Sequence, residues 1–219
     1  MRIGVINLKG GSGKTTLAVN VAGELDARGR AVELVDIDPQ QSATLWSQHG
    51  GDAFPVKVSN VGSGRDNTRA SRVQAAIESA NERVGRRGIV VIDCPPELGD
   101  NLMLACLMSD VVLVPCTPSP LDVWAARDAV DTVRDARKTR KQRGKPKCLL
   151  VPSRTPQGTL MSRDLPGLLE ALGEPIAPAM TQRTAHVEAC VAGTSIDRHA
   201  PGSPAHADVK AVVDVVLSA

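Results

Sequence analysis

Eight consecutive residues, Lys9-Gly10-Gly11-Ser12-Gly13-Lys14-Thr15-Thr16, carry the densest chemistry in the chain. Small side chains let successive backbone N–H groups converge on one anion, and glycine supplies the unusual backbone angles such a turn needs. Lys14 is spaced to reach the terminal phosphates of a nucleotide, and the Thr15 hydroxyl to ligate a magnesium ion. Three aspartates accompany this loop: Asp36 and Asp38 in Asp36-Ile37-Asp38-Pro39-Gln40, and Asp93 after Ile89-Val90-Val91-Ile92. A carboxylate at the end of a central strand accepts hydrogen bonds from magnesium-bound water. Taken alone, Asp93 is only a strand-end acid. In a chain that also carries the glycine loop and the Asp36/Asp38 pair, it reads as part of a Mg²⁺–nucleotide site.

These residues need a particular scaffold. Residues 2–6 form a short apolar run that predicts a buried strand, and an apolar-periodic helix follows over 17–27, so the loop joins strand to helix and lies over the helix N-terminus. Further along, strands are expected at 31–35, 89–92, 111–115 and 148–151, with weaker ones at 54–58 and 176–179. Helices are expected at 41–49, 69–84, 102–108, 121–142, 160–172, 184–192 and 206–217. Most of 50–68 reads as loop. Its Gly62-Ser63-Gly64-Arg65 follows no convincing strand and is set aside as a nucleotide turn. Strands alternating with helices predict one α/β domain over 1–219, a mostly parallel twisted sheet with helices on both faces.

Composition narrows the function classes. The chain has 219 residues, 42% hydrophobic and 23% charged, enough for one full core. No run approaches the roughly 18 apolar residues of a membrane span, and the loop sits where a signal peptide would carry its apolar segment, so a cytoplasmic protein is expected. Five scattered cysteines and the absence of any C-x-x-C pair argue for reduced core thiols rather than an iron–sulfur cluster. The four histidines give no metal spacing, and His186 reads as structural or surface. With Phe54, Trp46 and Trp124 as the whole aromatic set, stacking on bases is an unsuitable mode of nucleic-acid binding.

Charge is concentrated in one place. The segment 134–147 carries Arg134, Arg137, Lys138, Arg140, Lys141, Arg143, Lys145 and Lys147 against Asp135, a net +7, which leaves −5 for the remainder of a +2 chain. A helix dipole favours cations at its C-terminal end but does not require eight. Contact with a polyanionic backbone is the stronger reading, with Arg137, Lys138, Arg140, Lys141 and Arg143 as the candidate DNA-binding residues. A solvated basic face and an acidic protein partner are the alternatives. No recognition helix is evident, so contact with double-stranded DNA should be independent of sequence.

The extra lysine in Lys-Gly-Gly-x-Gly-Lys-Thr, with Leu8 where the generic phosphate loop has glycine, resembles the deviant loop of the ParA/MinD group of P-loop ATPases. The likeness extends to Asp36-Ile37-Asp38-Pro39-Gln40, Val91-Ile92-Asp93-Cys94-Pro95-Pro96, Pro118-Ser119-Pro120-Leu121-Asp122 and Thr181-Gln182-Arg183, the last two resembling the small, ParF-like plasmid partition subgroup. It covers about residues 1–200. The resemblance implies ATP/ADP and Mg²⁺ as cofactors, with nucleotide held by Lys9, Gly10, Gly11, Ser12, Gly13, Lys14, Thr15 and Thr16. Ser153, Arg154 and the 178–183 segment are candidate base contacts, and Thr15, Asp38 and Asp93 the magnesium set. Lys9, Lys14 and Asp38 would be catalytic, Lys9 from across an ATP-bridged homodimer and Asp38 by positioning the attacking water, with Gln40 a lesser helper. The reading of Lys9 as a solvated loop residue stands beside this.

The same resemblance implies a partition ATPase that binds DNA as an ATP dimer, associates with the nucleoid, and turns over weakly until a centromere-binding or cargo-adaptor protein stimulates it. The absence of an N-terminal DNA-binding extension implies that it would not repress its own operon. The segment 208–217, with one lysine, two aspartates and no aromatic anchor, does not resemble the basic membrane helix of the MinD branch and is expected to dock on the sheet. The alternatives are a positioning ATPase for a chromosome region, protein cluster or microcompartment, a small-molecule ATP-dependent synthase or ligase, and a scaffold that hardly turns over. Retention of Lys9 disfavours those microcompartment relatives that lack it.

Overall fold

The computed structural model describes residues 1–61, 69–97, 99–140 and 144–219. Seven strands, β1 (Arg2–Val5), β2 (Val32–Asp36), β3 (Lys57–Asn60), β4 (Ile89–Asp93), β5 (Val111–Cys116), β6 (Lys147–Thr155) and β7 (Met180–Thr181), form one sheet in the order β3-β2-β4-β1-β5-β6-β7. Every pairing is parallel. The helices are α1 (Lys14–Ala27), α2 (Ser42–Gly50), α3 (Arg69–Val84), α4 (Asp100–Met108), α5 (Pro120–Thr139), α6 (Leu160–Glu170), α7 (Thr184–Val191), α8 (Ile196–His199) and α9 (Pro204–Ser218).

The central strands are apolar and β-branched because both their faces are covered. Their side chains alternate between two cores. Val90, Ile92, Val112, Val114 and Leu150 face the layer made by α3, α4, α5 and α6, while Ile3, Val5, Val91, Leu113 and Val151 face α1, α2 and α7 to α9. Register then sets the chemistry. Val5 pairs with Asp93, and Asp36 pairs with Asp93, so the carboxyl ends of β1, β4 and β2 finish side by side. The loop after β1 leaves the sheet where strand order reverses, the place where α/β sheets open a crevice.

The expected elements are present with shifted ends. The weak strand at 54–58 starts later, at Lys57, because Phe54 turns into the α1–α2 core and is buried there. The strand expected at 176–179 is reduced to a single bridge from Ile176 to Leu150, and pairing resumes at Met180, since Pro178 has no N–H to donate. Helix α5 ends at Thr139 rather than 142: Arg140 turns to an extended backbone, and its guanidinium docks on Ser109 and Asp110. The short α8 was not expected. Gly62-Ser63-Gly64-Arg65 lies outside the described residues.

Helix α9 lays Val209, Val212, Val213 and Val216 into the core beside α1, as its valine pattern predicted. Charged pairs fasten its edges. His206 Nε2 lies 2.7 Å from the buried Glu24 Oε2, and Arg28 bridges Glu24 at 2.7 Å and Asp214 at 2.6 Å. Among the described residues no helix is long and apolar enough to cross a membrane.

Candidate nucleotide site

Asn7, fully buried, fixes the start of the loop. Its amide donates to the Pro115 carbonyl at 2.6 Å, and its Oδ1 accepts the Lys9 N–H at 2.9 Å, so the loop is tied to β5 before it turns. Gly11 and Gly13 adopt left-handed φ values of 80° and 93°. At Gly13 a Cβ would also lie 2.8 Å from Ser153 Oγ, so backbone angle and space both demand glycine there. Helix α1 begins at Lys14 with no acidic residue in its first turn, leaving its N-terminal N–H groups and dipole for an outside anion.

The side chains above this helix are buried and under-partnered. Lys14 donates to the Lys9 carbonyl at 3.0 Å, and burial holds its pKa below the ordinary lysine value despite the counteracting charges of Asp93 and Asp38. Among the described residues Ser12 Oγ is buried without a partner. Asp93 is fully buried, among the described residues its carboxylate makes no well-formed hydrogen bond although the Thr15 hydroxyl lies close by, and its pKa is pushed up to about 8. Burial is the main cause. Thr15 opposes it, Asp36 and Asp38 reinforce it with like charge, and Lys14 offsets part of that. Asp36 itself is occupied: it accepts from the Thr44 N–H at 2.9 Å and hydroxyl at 2.8 Å and from the Asp38 N–H at 3.1 Å, which fixes α2 and the Asp38 turn. Asp38 is half-buried, with Oδ1 accepting the Gln40 N–H at 2.9 Å.

The donor set fits a magnesium–nucleotide complex. An uncompensated buried carboxylate beside a threonine hydroxyl is what a hydrated cation would satisfy, and a desolvated ammonium beneath an open loop is what phosphate oxygens would satisfy. Among the described residues no three His, Cys, Asp or Glu side chains form a protein-only metal cage. Mg²⁺ at a phosphate loop needs none, because it keeps waters and phosphate oxygens as ligands.

Lys9 points elsewhere. Its Nζ is 3.9 Å from Asp122 on the first turn of α5, and the side chain is 38% exposed. Arg154, at a positive φ of 49°, donates to the Gly11 carbonyl at 3.0 Å, and Ser153 is buried below it. A cavity of about 370 Å³ opens among Lys9, Gly10, Gly11, Thr117, Arg154 and Gln182. Lys14, Thr15, Asp38 and Asp93 are thus brought together, with Ser153 and Arg154 against the loop glycines, while Lys9 lines the neighbouring cavity. Sequence reading missed Asn7 and Asp208. Asp208, on α9, accepts from the Thr181 N–H at 3.0 Å, from the Thr181 hydroxyl, and from Arg183 Nε at 3.3 Å. Asn7, a turn-forming residue ending an apolar strand, was a usable signal; Asp208 acts across 27 residues and left none.

Residues 3–196 match the family described as the CobQ/CobB/MinD/ParA nucleotide binding domain. The chain belongs to that family. It is a P-loop ATPase, with ATP or ADP and Mg²⁺ as cofactors. The chain is 35% identical over 199 residues to a maintenance of carboxysome distribution protein A from Halothiobacillus neapolitanus, covering 89% of this chain and 85% of that one. It is 34% identical to the protein of the same description from Gloeobacter kilaueensis, over 83% and 70% of the two chains. The structure of apo McdA from Cyanothece superposes over 99% of both chains with a TM-score of 0.79 at 18% identity, a likeness of fold.

The basic segment lies away from this cradle. Arg137 makes a bidentate pair with Glu174 at 2.5 and 2.9 Å and donates to the Pro146 carbonyl. Arg140, 6% exposed, is held by the Ser109 carbonyl and Asp110. Lys138 is 77% exposed and pairs with its helix neighbour Asp135. Lys141 and Arg143 lie outside the described residues. Two of the cations expected to face DNA are therefore spent on the packing of α5.

Proposed function

We propose that this chain is an ATP-driven positioning ATPase whose cargo is a protein cluster or microcompartment. The identity over most of the chain to a carboxysome distribution protein carries that choice of cargo, and it moves plasmid partition from first reading to alternative. The presence of Lys9, weighed against this cargo from sequence, is outweighed by it.

In this reading Lys14 and the loop N–H groups would hold the nucleotide phosphates, and Thr15 and Asp93 would hold Mg²⁺. Bound Mg²⁺ neutralises charge on the phosphate oxygens. Asp38 orients the attacking water, and positioning supplies most of the acceleration because the transition state is loose. As the resemblance to the ParA/MinD group implies, Lys9 would serve a second copy's nucleotide. That makes the active form an ATP-bridged dimer, which would cycle in the cytoplasm on and off nucleoid DNA. DNA contact falls to Lys138 with Lys141 and Arg143, while Arg137 and Arg140 hold α5 in place. An adaptor on the cargo stimulates hydrolysis.

Deleting the gene and imaging fluorescently tagged protein assemblies beside a plasmid-retention assay tests the choice. Collapse of evenly spaced assemblies into clusters, with plasmid and chromosome inheritance unchanged, is expected. Plasmid loss with normally spaced assemblies would return the partition reading.

A further inference from the structure

Strand β6 is irregular where it meets the phosphate loop. Ser153 pairs with Met180 and Thr155 with Thr181, so β6 takes two steps where β7 takes one, and Arg154 is the extra residue of a bulge. Its φ of 49° lies in the left-handed region, which residues other than glycine adopt at a cost. Among the described residues the other non-glycine with a positive φ is Gln41, in the turn that follows Asp38. Both strained residues therefore belong to segments that reach the nucleotide site.

A bulge re-aims a side chain, and this one lays Arg154 along the loop. Its Cγ is 4.0 Å from where a Cβ on Gly13 would lie, and its Nη1 donates to the Gly11 carbonyl at 3.0 Å. Gly11 is exposed, at a φ of 80°, and among the described residues nothing lies within 4 Å of where its Cβ would be. Packing therefore does little to fix the peptide that joins it to Ser12. In a trans peptide the carbonyl and the following N–H point in opposite directions. A Gly11 carbonyl drawn toward Arg154 turns the Ser12 N–H away from it, and the reverse orientation would exchange that donor for an oxygen that repels an anion.

We propose that Arg154 is a positioning residue for ATP hydrolysis, holding the Gly11 carbonyl outward so that the Ser12 N–H is presented to the nucleotide phosphates. This rests on the reading of Lys9 to Thr16 as the phosphate cradle and names what keeps that cradle in shape. It assigns the guanidinium to the loop rather than to the base, and it gives the strained backbone at Arg154 a purpose.

Arg154→Asn and Arg154→Gly both accept a left-handed backbone, so they remove the guanidinium without adding strain. Affinities for Mg²⁺–ADP and for Mg²⁺ with inorganic pyrophosphate are measured by calorimetry beside the melting temperature and the amide resonance of Ser12 in the nucleotide-free protein. Both variants are expected to bind ADP and pyrophosphate about tenfold more weakly, by the same factor, to turn over ATP more slowly, and to melt no lower than the unaltered protein. The Ser12 amide resonance should shift and broaden before any nucleotide is added, and Arg154→Lys, which keeps a donor on a stem of similar reach, should recover most of the affinity. Weakened ADP binding with pyrophosphate binding intact overturns the proposal in favour of a base contact. Both affinities lowered with the Ser12 amide unmoved overturns it in favour of direct contact with phosphate, and a lower melting temperature with affinities intact leaves Arg154 a purely structural residue. If the unaltered protein binds neither ADP nor pyrophosphate, the cradle reading itself fails and takes this role with it.

Discussion

The phosphate loop and the basic segment after α5 both collect charged side chains, and the structure treats them in opposite ways. Around the loop, Lys14, Ser12 and Asp93 are buried with fewer partners than their chemistry asks for. At the end of α5, Arg137 is taken up by Glu174 and the Pro146 carbonyl, and the two terminal nitrogens of Arg140 by the Ser109 carbonyl and Asp110. Charge density along a sequence therefore says little about function until the partners are known. Where several groups short of partners, a cation, a hydroxyl and a carboxylate, converge on a glycine loop at a helix N-terminus, a ligand is the natural complement, while cations paired within the chain mark architecture.

That contrast can be pressed experimentally, and the widest effect is expected at Asp93. Its folded-state pKa of about 8 stands above the ordinary carboxylate value of 3.8. The unfolded chain therefore gives up this proton at lower pH than the folded one. Stability of the nucleotide-free protein should fall as pH rises from about 4 to about 8, by at most about 6 kcal/mol from this group. Urea midpoints across that window should lose this component of the slope in Asp93→Asn, and Mg²⁺–ADP should flatten it in the unaltered protein. An identical slope in both proteins without nucleotide would show that Asp93 is not held as an uncompensated acid.

At Lys14 the expected loss is in chemistry. Lys14→Ala should lower ATP turnover by about a hundredfold or more, as removal of one aimed cationic donor does, without lowering the melting temperature, because the ammonium costs free energy to bury. Steady-state phosphate release and calorimetry separate the two effects.

The basic segment should respond in the reverse order. Arg140→Ala is expected to cost about 1–3 kcal/mol of stability by leaving Ser109 and Asp110 without their buried donor, measured by urea denaturation. Lys138→Ala should change stability by less than about 0.5 kcal/mol while weakening DNA binding and its salt dependence. If Arg140→Ala left stability untouched and Lys138→Ala lowered it, the division between architectural and available cations would be wrong.

Much of this was legible in the chain. The strands carry continuous β-branched runs, so β1, β2, β4, β5 and β6 stand out, and each site aspartate comes directly after an apolar run. The loop pattern is local, which is why Gly11, Gly13 and Lys14 could be placed from spacing alone. What escaped were interactions between distant segments. The pairing of Arg137 with Glu174 spans 37 residues and that of Arg140 with Asp110 spans 30, so neither could be seen in a count of charges. The Asp208 contacts to Thr181 and Arg183 were hidden for the same reason. The edge strands were blurred because β3 and β7 are short and partly exposed, and prolines interrupt the pattern before them.

The position of β1 in the sheet bears on how the protein is made. The first strand in chain order lies between β4 and β5, and α1, next after it in the chain, is covered along one side by α9, the final helix. A growing chain emerging from the ribosome therefore presents the phosphate loop early, on a strand whose neighbours have yet to be synthesised and a helix whose valine cover comes last. Asp208, which braces the far rim of the nucleotide cleft, is in that last helix. Nucleotide capture during translation is thus deferred until α9 has been delivered, and a product truncated before that helix should be released without a working cleft.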